Sequence, residues 1–317
     1  MRNPTCLLAA LTLFCASAIS RAQTPAPFTL HDLGNGAWAA IDNPAAKFAQ
    51  SGSNAGFVIG PNGVAVVDTF ENIAAAQAML DAIRKKTSQP VRFVVNTHYH
   101  LDHVAGNNLF AAAGATVLAQ ANVSAWERTE NLKFYGPKIT AQQKDEVQSL
   151  GLPSVTYKHG VDLYLGARHL IVRSLPGHTG GDSIVYDPVA NVVFCGDLFW
   201  NHTLPNLIDA STGPWIDTLD TLLADYPTAT FVPGHGDRVG DAADVRDFRG
   251  YLTDLRSLIQ KAQAQGRSGD ALIDAVLSLL KKKYGSWSFF DFAKSDIAYT
   301  DAELRGKKRI PTADGPY

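Results

Sequence analysis

Apolar and polar positions alternate along this chain in short blocks, and the period of each block predicts an element. The runs "GFVIG" (56–60) and "GVAVVDT" (63–69) flank Pro61-Asn62, a pair suited to a tight turn, and predict a hairpin. Ile73, Ala76, Leu80 and Ile83 recur at helical spacing, so an amphipathic helix is expected over 71–86. "VRFVVNTH" then reads as a buried strand, "GNNLFAAAGA" as a short helix and "TVLAQ" as another strand. Residues 23–54, rich in Ala, Pro, Gly and Asn, predict only one short strand, near Trp38 to Ile41. Strands alternating with helices imply an α/β layered fold.

The second half restarts with strands at "HLIVRSL" (169–175), "SIVYD" (183–187) and "NVVFCGD" (191–197). Pro214 stands where a helix begins, with Trp215, Leu219 and Leu222 as its apolar face. "TATFVPGHGD" supplies the last strand and its loop. Past residue 245 the period becomes helical, in "VRDFRGYLTDLRSLIQKAQAQG" and "ALIDAVLSLLKKKYG". The expected organisation is a leader over 1–22, a catalytic domain over 23–245 and a helical C-terminal extension over 246–317.

Composition narrows the function. The 317 residues are 46% hydrophobic and 18% charged with a net charge of −2, so no basic excess exists to neutralise nucleic-acid phosphates. Arg2, the uncharged stretch Cys6 to Ile19 and the small residues of Ser20-Arg21-Ala22 match a secretory leader cut before Gln23. The apolar stretch is too short to span a bilayer, and Cys15 lacks the preceding small residue of a lipidation site. A periplasmic or secreted protein without a membrane anchor is therefore expected. Cleavage removes Arg2 and Arg21, taking the net charge from −2 to −4, and leaves Cys195 as the single cysteine, with no internal disulfide.

Candidate chemistry lies in the histidines. Of nine, five fall in three loops that each follow an apolar run: His98, His100 and His103 in "HYHLDH", His178 in "LPGHTGGD", His235 in "VPGHGD". Asp102 accompanies the first group, and Asp197 ends the strand "VVFCGD". Charges and imidazoles this dense are costly unless something compensates them, and neutral imidazoles with carboxylates are the donor set of a divalent transition metal. His-x-His sends two side chains to one side of an extended segment. Glycines beside His178, Asp197 and His235 allow the backbone to bend around a shared centre. His31, His159, His169 and His202 lack that context and read as ordinary hydrogen-bonded residues. Cys195 reads as a buried apolar cysteine, and Thr179 and Ser183 as turn and strand residues.

These motifs resemble the metallo-β-lactamase superfamily. "HYHLDH" stands as its His-x-His-x-Asp-His signature, and "VVDTF" with Asp68, "PGHTGGD", "FCGD" and "PGHGD" follow in matching order, over about residues 30 to 245. The resemblance implies a four-layer αβ/βα sandwich with its site at the strand ends between two sheets. It implies a first zinc on His98, His100 and His178, a second on Asp102, His103 and His235, and Asp197 bridging the two; iron or manganese fit the same donors. Asp68 would hold the histidine loop by hydrogen bonds without touching metal. The implied reaction is cleavage of a carbonyl bond in a small molecule (ester, thioester, lactone or amide) by a metal-bridging hydroxide, with Asp102 as the catalytic carboxylate.

Departures bear on the substrate. The β-lactamases of this order carry Cys where this chain has Asp197 and Lys where it has Trp200, and they lack the histidine that stands here as His103. The ligand set instead resembles glyoxalase II and related di-zinc hydrolases, without their basic tail. A true β-lactamase is the alternative reading; an iron-dependent redox enzyme and a noncatalytic metal-binding protein are the remaining ones. Candidate substrate contacts are Trp200, Asn206 and Phe48. "NPAAKFAQSGSN", "WERTENLKFYG" and the aromatics Tyr284, Trp287, Phe289, Phe290 and Phe292 are candidate lids, the last group also serving to dock the extension.

Overall fold

A computed structural model describes residues 25–309 and 311; the expected leader lies outside them. The chain opens with β1 (Phe28–Asp32), β2 (Ala37–Asp42), β3 (Ala55–Gly60), β4 (Gly63–Val67), β5 (Val91–Val95), β6 (Thr116–Gln120) and β7 (Val155–Tyr157). These seven form one sheet in chain order, antiparallel through β4 and parallel from β4 to β7. The second sheet holds β8 (Gly160–Leu165), β9 (Arg168–Ser174), β10 (Ser183–Asp187), β11 (Val192–Trp200) and β12 (Thr230–His235) in the order β12-β11-β10-β9-β8. Only its β11–β12 pair is parallel.

Helices α1 (Ile73–Lys86), α2 (Leu101–Val104), α3 (Asn107–Ala112), α4 (Ala121–Trp126) and α5 (Ala141–Gln148) accompany the first sheet in sequence. Helices α6 (Thr212–Asp225), α7 (Ala242–Ala264), α8 (Gly269–Tyr284) and α9 (Ala293–Leu304) accompany the second. Short 3-10 turns occupy Pro44–Ala49, Glu130–Lys138 and Phe290–Phe292.

Local chemistry explains the boundaries. The Asn72 side chain accepts from the Ala75 amide, which caps α1 and starts it two residues later than periodicity alone suggests. Arg84, Lys85 and Lys86 fill its last turn, where positive charge suits the helix dipole. The expected hairpin forms, with Gly60 paired to Gly63 around Pro61-Asn62. Strand β1 is the difference at the N-terminal end. "FTLHD" carries three polar side chains, Thr29, His31 and Asp32, at the sheet edge, a signal too weak to read as a strand until it pairs with β2. Strand β11 runs to Trp200 rather than stopping at Asp197, with register shifts against β12 between Phe194 and Gly196 and again before Trp200.

Three apolar layers separate the four structural ones. Met79, Ile83 and Phe110 pack under the first sheet against Phe57, Val66 and Val94. Between the sheets, Val58, Val67 and Val95 meet Leu165, Val172 and Phe194. The outer face of the second sheet, including Val193 and Phe231, packs with Trp215, Leu219, Phe248, Leu255, Val276 and Ile297. Strand β11 shows why: Val192 and Phe194 belong to the layer between the sheets, Val193 and Cys195 to the outer layer. Helices α7, α8 and α9 thus share one core with the second sheet. Tyr251, Tyr284 and Trp287 stack edge-on in it, and a bridge from Thr203 to Ser288 brings Phe289 to the strand ends.

Candidate metal centre

Past the end of strand β5 at Val95 the backbone makes one more bond to β6 and then turns to Asp68. The Asn96 amide donates to Leu118 O (2.9 Å), and the Thr97 amide and hydroxyl donate to the two oxygens of Asp68 (2.8 and 2.7 Å). Asp68 Oδ2 also meets His103 Nδ1 at 2.8 Å, leaving Nε2 of that ring turned the other way. Asp68 itself sits at φ +61, an unfavourable backbone for a non-glycine residue, sustained by these bonds. These bonds tie Asp68 to both ends of the segment from Thr97 to His103.

All seven expected ligands converge in two groups. Donor atoms of His98, His100, His178 and Asp197 lie within 4.8 Å of one another, as do those of Asp102, His103 and His235. Asp197 divides its oxygens between them. Its Oδ2 lies 3.1 Å from His178 Nε2 and 3.7 Å from His98 Nε2; its Oδ1 lies 3.1 Å from His103 Nε2 and 3.4 Å from His235 Nε2. Asp102 Oδ2 closes the second group at 3.1 Å from His235 Nε2 and 3.4 Å from His103 Nε2. Two glycines make this approach. A Cβ on Gly234 would stand 2.0 Å from Asp197 Oδ1, and one on Gly196 would meet Thr97 Oγ1 at 2.2 Å.

The donor set fits divalent metal. His98 Nε2, His103 Nε2 and Asp197 Oδ1 are buried without a hydrogen-bond partner, and His178 Nε2 faces His100 Nδ1 at 3.0 Å. Buried lone pairs aimed at one another are costly, and a cation between them removes that cost. Protonation follows the same division. Burial, then the neighbouring imidazoles, holds His98 well below its ordinary range, and burial lowers His100. Burial opposes ionisation of Asp102 and Asp197, yet the surrounding histidines outweigh it and hold both well below the usual carboxylate range. Burial likewise opposes a proton on His235, but the Asp197 and Asp102 carboxylates push it up to about 9. His103 is raised in the same way, and a divalent ion would displace both protons.

One partner escaped the sequence reading. Asp209 Oδ2 meets His100 Nε2 at 3.1 Å and accepts from the Tyr99 hydroxyl at 2.5 Å, while Lys133 Nζ reaches both oxygens at 2.6 Å. The carboxylate turns His100 so that Nδ1 faces the first group. Asp209 lies three residues beyond Asn206, in an irregular loop with no pattern of its own; only the fold shows its role. Lys133 comes from "WERTENLKFYG", one of the segments expected to form a lid.

Above the ligands opens a cavity of about 340 Å³, walled by Phe134, Tyr135, Trp200, Phe289 and Phe292 with Glu71 at its rim. Trp200 stacks on His235 with centroids 4.0 Å apart, and its buried Nε1 has no partner. Asn206 also lines the space, its Oδ1 accepting from the Ile208 amide. The Phe48 side chain lies outside the described residues. From the extension, Tyr284 and Trp287 dock on the core, whereas Phe289 and Phe292 face the cavity. Cys195 stays in the outer apolar layer, its thiol raised by burial, and joins neither ligand group.

Comparison with known proteins follows the same lines. The sequence model of the metallo-beta-lactamase superfamily matches residues 49–235. A linear primary-alkylsulfatase of a Pseudomonas species is 22% identical over 256 residues, 68% of this chain and 48% of that protein. A hydroxyacylglutathione hydrolase of Brucella anthropi is 27% identical over 147 residues, 46% of this chain and 48% of its own length. The chain therefore spans about half the length of these two relatives. Among solved structures, a metallo-beta-lactamase from Pontibacter korlensis superposes with a TM-score of 0.58 at 23% identity, covering 71% of this chain and 99% of that one. That likeness is one of fold.

Proposed function

The chain belongs to the metallo-β-lactamase superfamily, and on that premise we propose that it is a dinuclear zinc hydrolase of small carbonyl compounds. The observation that carries this reading is the division of Asp197, one oxygen toward each ligand group. His98, His100 and His178 would hold one ion and Asp102, His103 and His235 the other. Two such ions, when bound, supply Lewis acidity and a hydroxide at neutral pH.

The chain's own residues do the rest. Asp209 and Asp68 fix the ring orientation of His100 and His103, so the donors need no rearrangement on binding. Asp102 is the ligand carboxylate with most exposure, 27%, and it borders the cavity with its Oδ2 beside the His103 and His235 imidazoles. This carboxylate would take the proton of an attacking water. Trp200 and the cavity phenylalanines exclude bulk water and bind the apolar part of the substrate.

The donor set and the cavity favour an ester, thioester or lactone over a β-lactam. Trp200 offers no charge to a substrate carboxylate, and Lys133 is engaged by Asp209 and Glu130. We further read residues 1–22 as an export leader, giving a periplasmic or secreted enzyme whose partner is its small-molecule substrate. Recovery of mature protein beginning at Gln23 would support this; an uncleaved N-terminus would not.

The central test combines metal analysis with a panel of lactam, lactone, ester and thioester substrates. Two metal ions per chain are expected, with Asp197→Ala losing at least one ion and more than 100-fold in turnover, about the loss typical of a disrupted electrostatic centre. One ion per chain with unchanged turnover in Asp197→Ala defeats the proposal.

A further inference from the structure

A second cavity, of about 580 Å³, adjoins the metal centre. The two share Glu71, Leu101 and Tyr135, so these three side chains form the border between the chambers. The outer chamber lies between the start of α1, the α2–α3 segment and the end of α5. Its apolar wall is Ile73, Leu101, Ala105, Tyr135 and Leu150. Ile73 is 63% exposed, an unusual position for a large aliphatic residue at the first turn of a helix whose other large apolar residues, Met79, Leu80 and Ile83, are buried. The remaining lining is neutral and polar, apart from the carboxylates of Glu71 and Glu146.

Both rims of this chamber are built. The Asn72 amide donates to Gln50 O on one side; on the other, Asn108 Nδ2 donates to Ser149 O at 2.7 Å and the Arg128 guanidinium donates to Leu150 O. Such pinning keeps the chamber open as a feature of the fold, of a size suited to part of a small molecule.

We propose that this chamber is a subsite for a long, uncharged arm of the substrate, an alkyl or alkenyl chain attached to the carbonyl group cleaved at the metal centre. The assignment of the cleaved bond rests on the hydrolase reading above; the binding of the arm does not. An arm of this kind passes Tyr135 and Leu101, contacts Ile73 and Leu150, and gains affinity with each methylene removed from water. Glu71 and Glu146 repel a terminal carboxylate or phosphate on the same arm. Hydrolysis adds one water across the acyl bond: the hydroxyl goes to the carbonyl carbon, so the long-chain fragment becomes the acid, and the proton goes to the departing alcohol or thiol.

Binding of 2-alkanones, from 2-pentanone to 2-undecanone, to the metal-loaded protein tests the subsite without any cleavage. Wild-type affinity should rise about two- to fourfold per methylene. Ile73→Trp, at an exposed position that the fold does not need, should abolish that rise and leave the affinity of 2-pentanone within about twofold, as expected for a distant surface change. An ω-carboxylate analogue should bind more weakly than its methyl-terminated counterpart, and Glu146→Gln should narrow that gap. Affinity independent of chain length, or an equal loss for short and long ketones in Ile73→Trp, overturns the subsite. Chain-dependent ketone binding with no ester, thioester or lactone cleaved leaves the subsite standing and defeats the hydrolase reading. Cleavage of esters at a rate blind to chain length does the reverse.

Discussion

Asp209→Asn separates the metal centre's geometry from its ligands. The substitution keeps an oxygen near His100 Nε2 and Tyr99 Oη but removes the negative charge that Lys133 contacts at 2.6 Å. A hydrogen bond from His100 to a neutral amide is about half as strong as one to a carboxylate. The imidazole loses basicity, and its Nδ1 is less firmly turned toward His98 and His178. Removing an outer carboxylate of this kind lowers metal affinity about 10- to 100-fold, or roughly 1.4–2.7 kcal/mol. Because Asp209 touches only His100 among the ligands, the loss should fall on the first group. Stepwise competition for zinc against a chromophoric chelator resolves the two ions, and circular dichroism confirms that the variant is folded. Asp68→Asn provides the mirror case, weakening the group that contains His103. Unchanged affinity in Asp209→Asn, or a loss confined to the second group, refutes the argument.

Further expectations concern stability. Chelation of metal should lower the melting temperature. With free zinc at about 1,000 times its dissociation constant, the lost stabilisation is roughly 4 kcal/mol; melting indifferent to chelator would contradict the fit of the donors. Glu127 is buried, and burial pushes its carboxyl up to about 8 despite Arg128 and an Asn107 hydrogen bond. The folded state then binds the extra proton, so stability falls as pH rises from about 4.5 toward 8. Glu127→Gln should match the wild type near pH 4.5 and exceed it by roughly 3–5 kcal/mol near pH 8. Denaturant titrations showing a constant difference across that range would disprove it. Trp215 is fully buried and donates from Nε1 to Leu198 O at 2.9 Å. Trp215→Ala should cost about 3–5 kcal/mol, chiefly by cavity formation, and a loss below 1 kcal/mol would show that the outer layer repacks.

The sequence by itself determined much of the architecture and singled out the candidate ligands. Strand β11 is apolar on both faces because it lies between two layers, and that continuous run is visible in "NVVFCGD". The clustering of these donors was legible because metal binding demands particular donors at short spacings: "HYHLDH" places members of both groups within six residues. Strand β1 was not legible, since an edge strand buries little and becomes a strand only by pairing with β2. Tertiary structure alone decided which atom of each ligand faces the centre. Asp209 and His100 are 109 residues apart, and nothing local links the aspartate to the imidazole it turns. The same holds for the outer chamber, whose walls come from Ile73, Leu101, Tyr135 and Leu150 on separate segments. Local pattern follows from the period of hydrophobic contacts along one segment. Orientation and shape are set by non-local contacts, which exist only once the layers have packed.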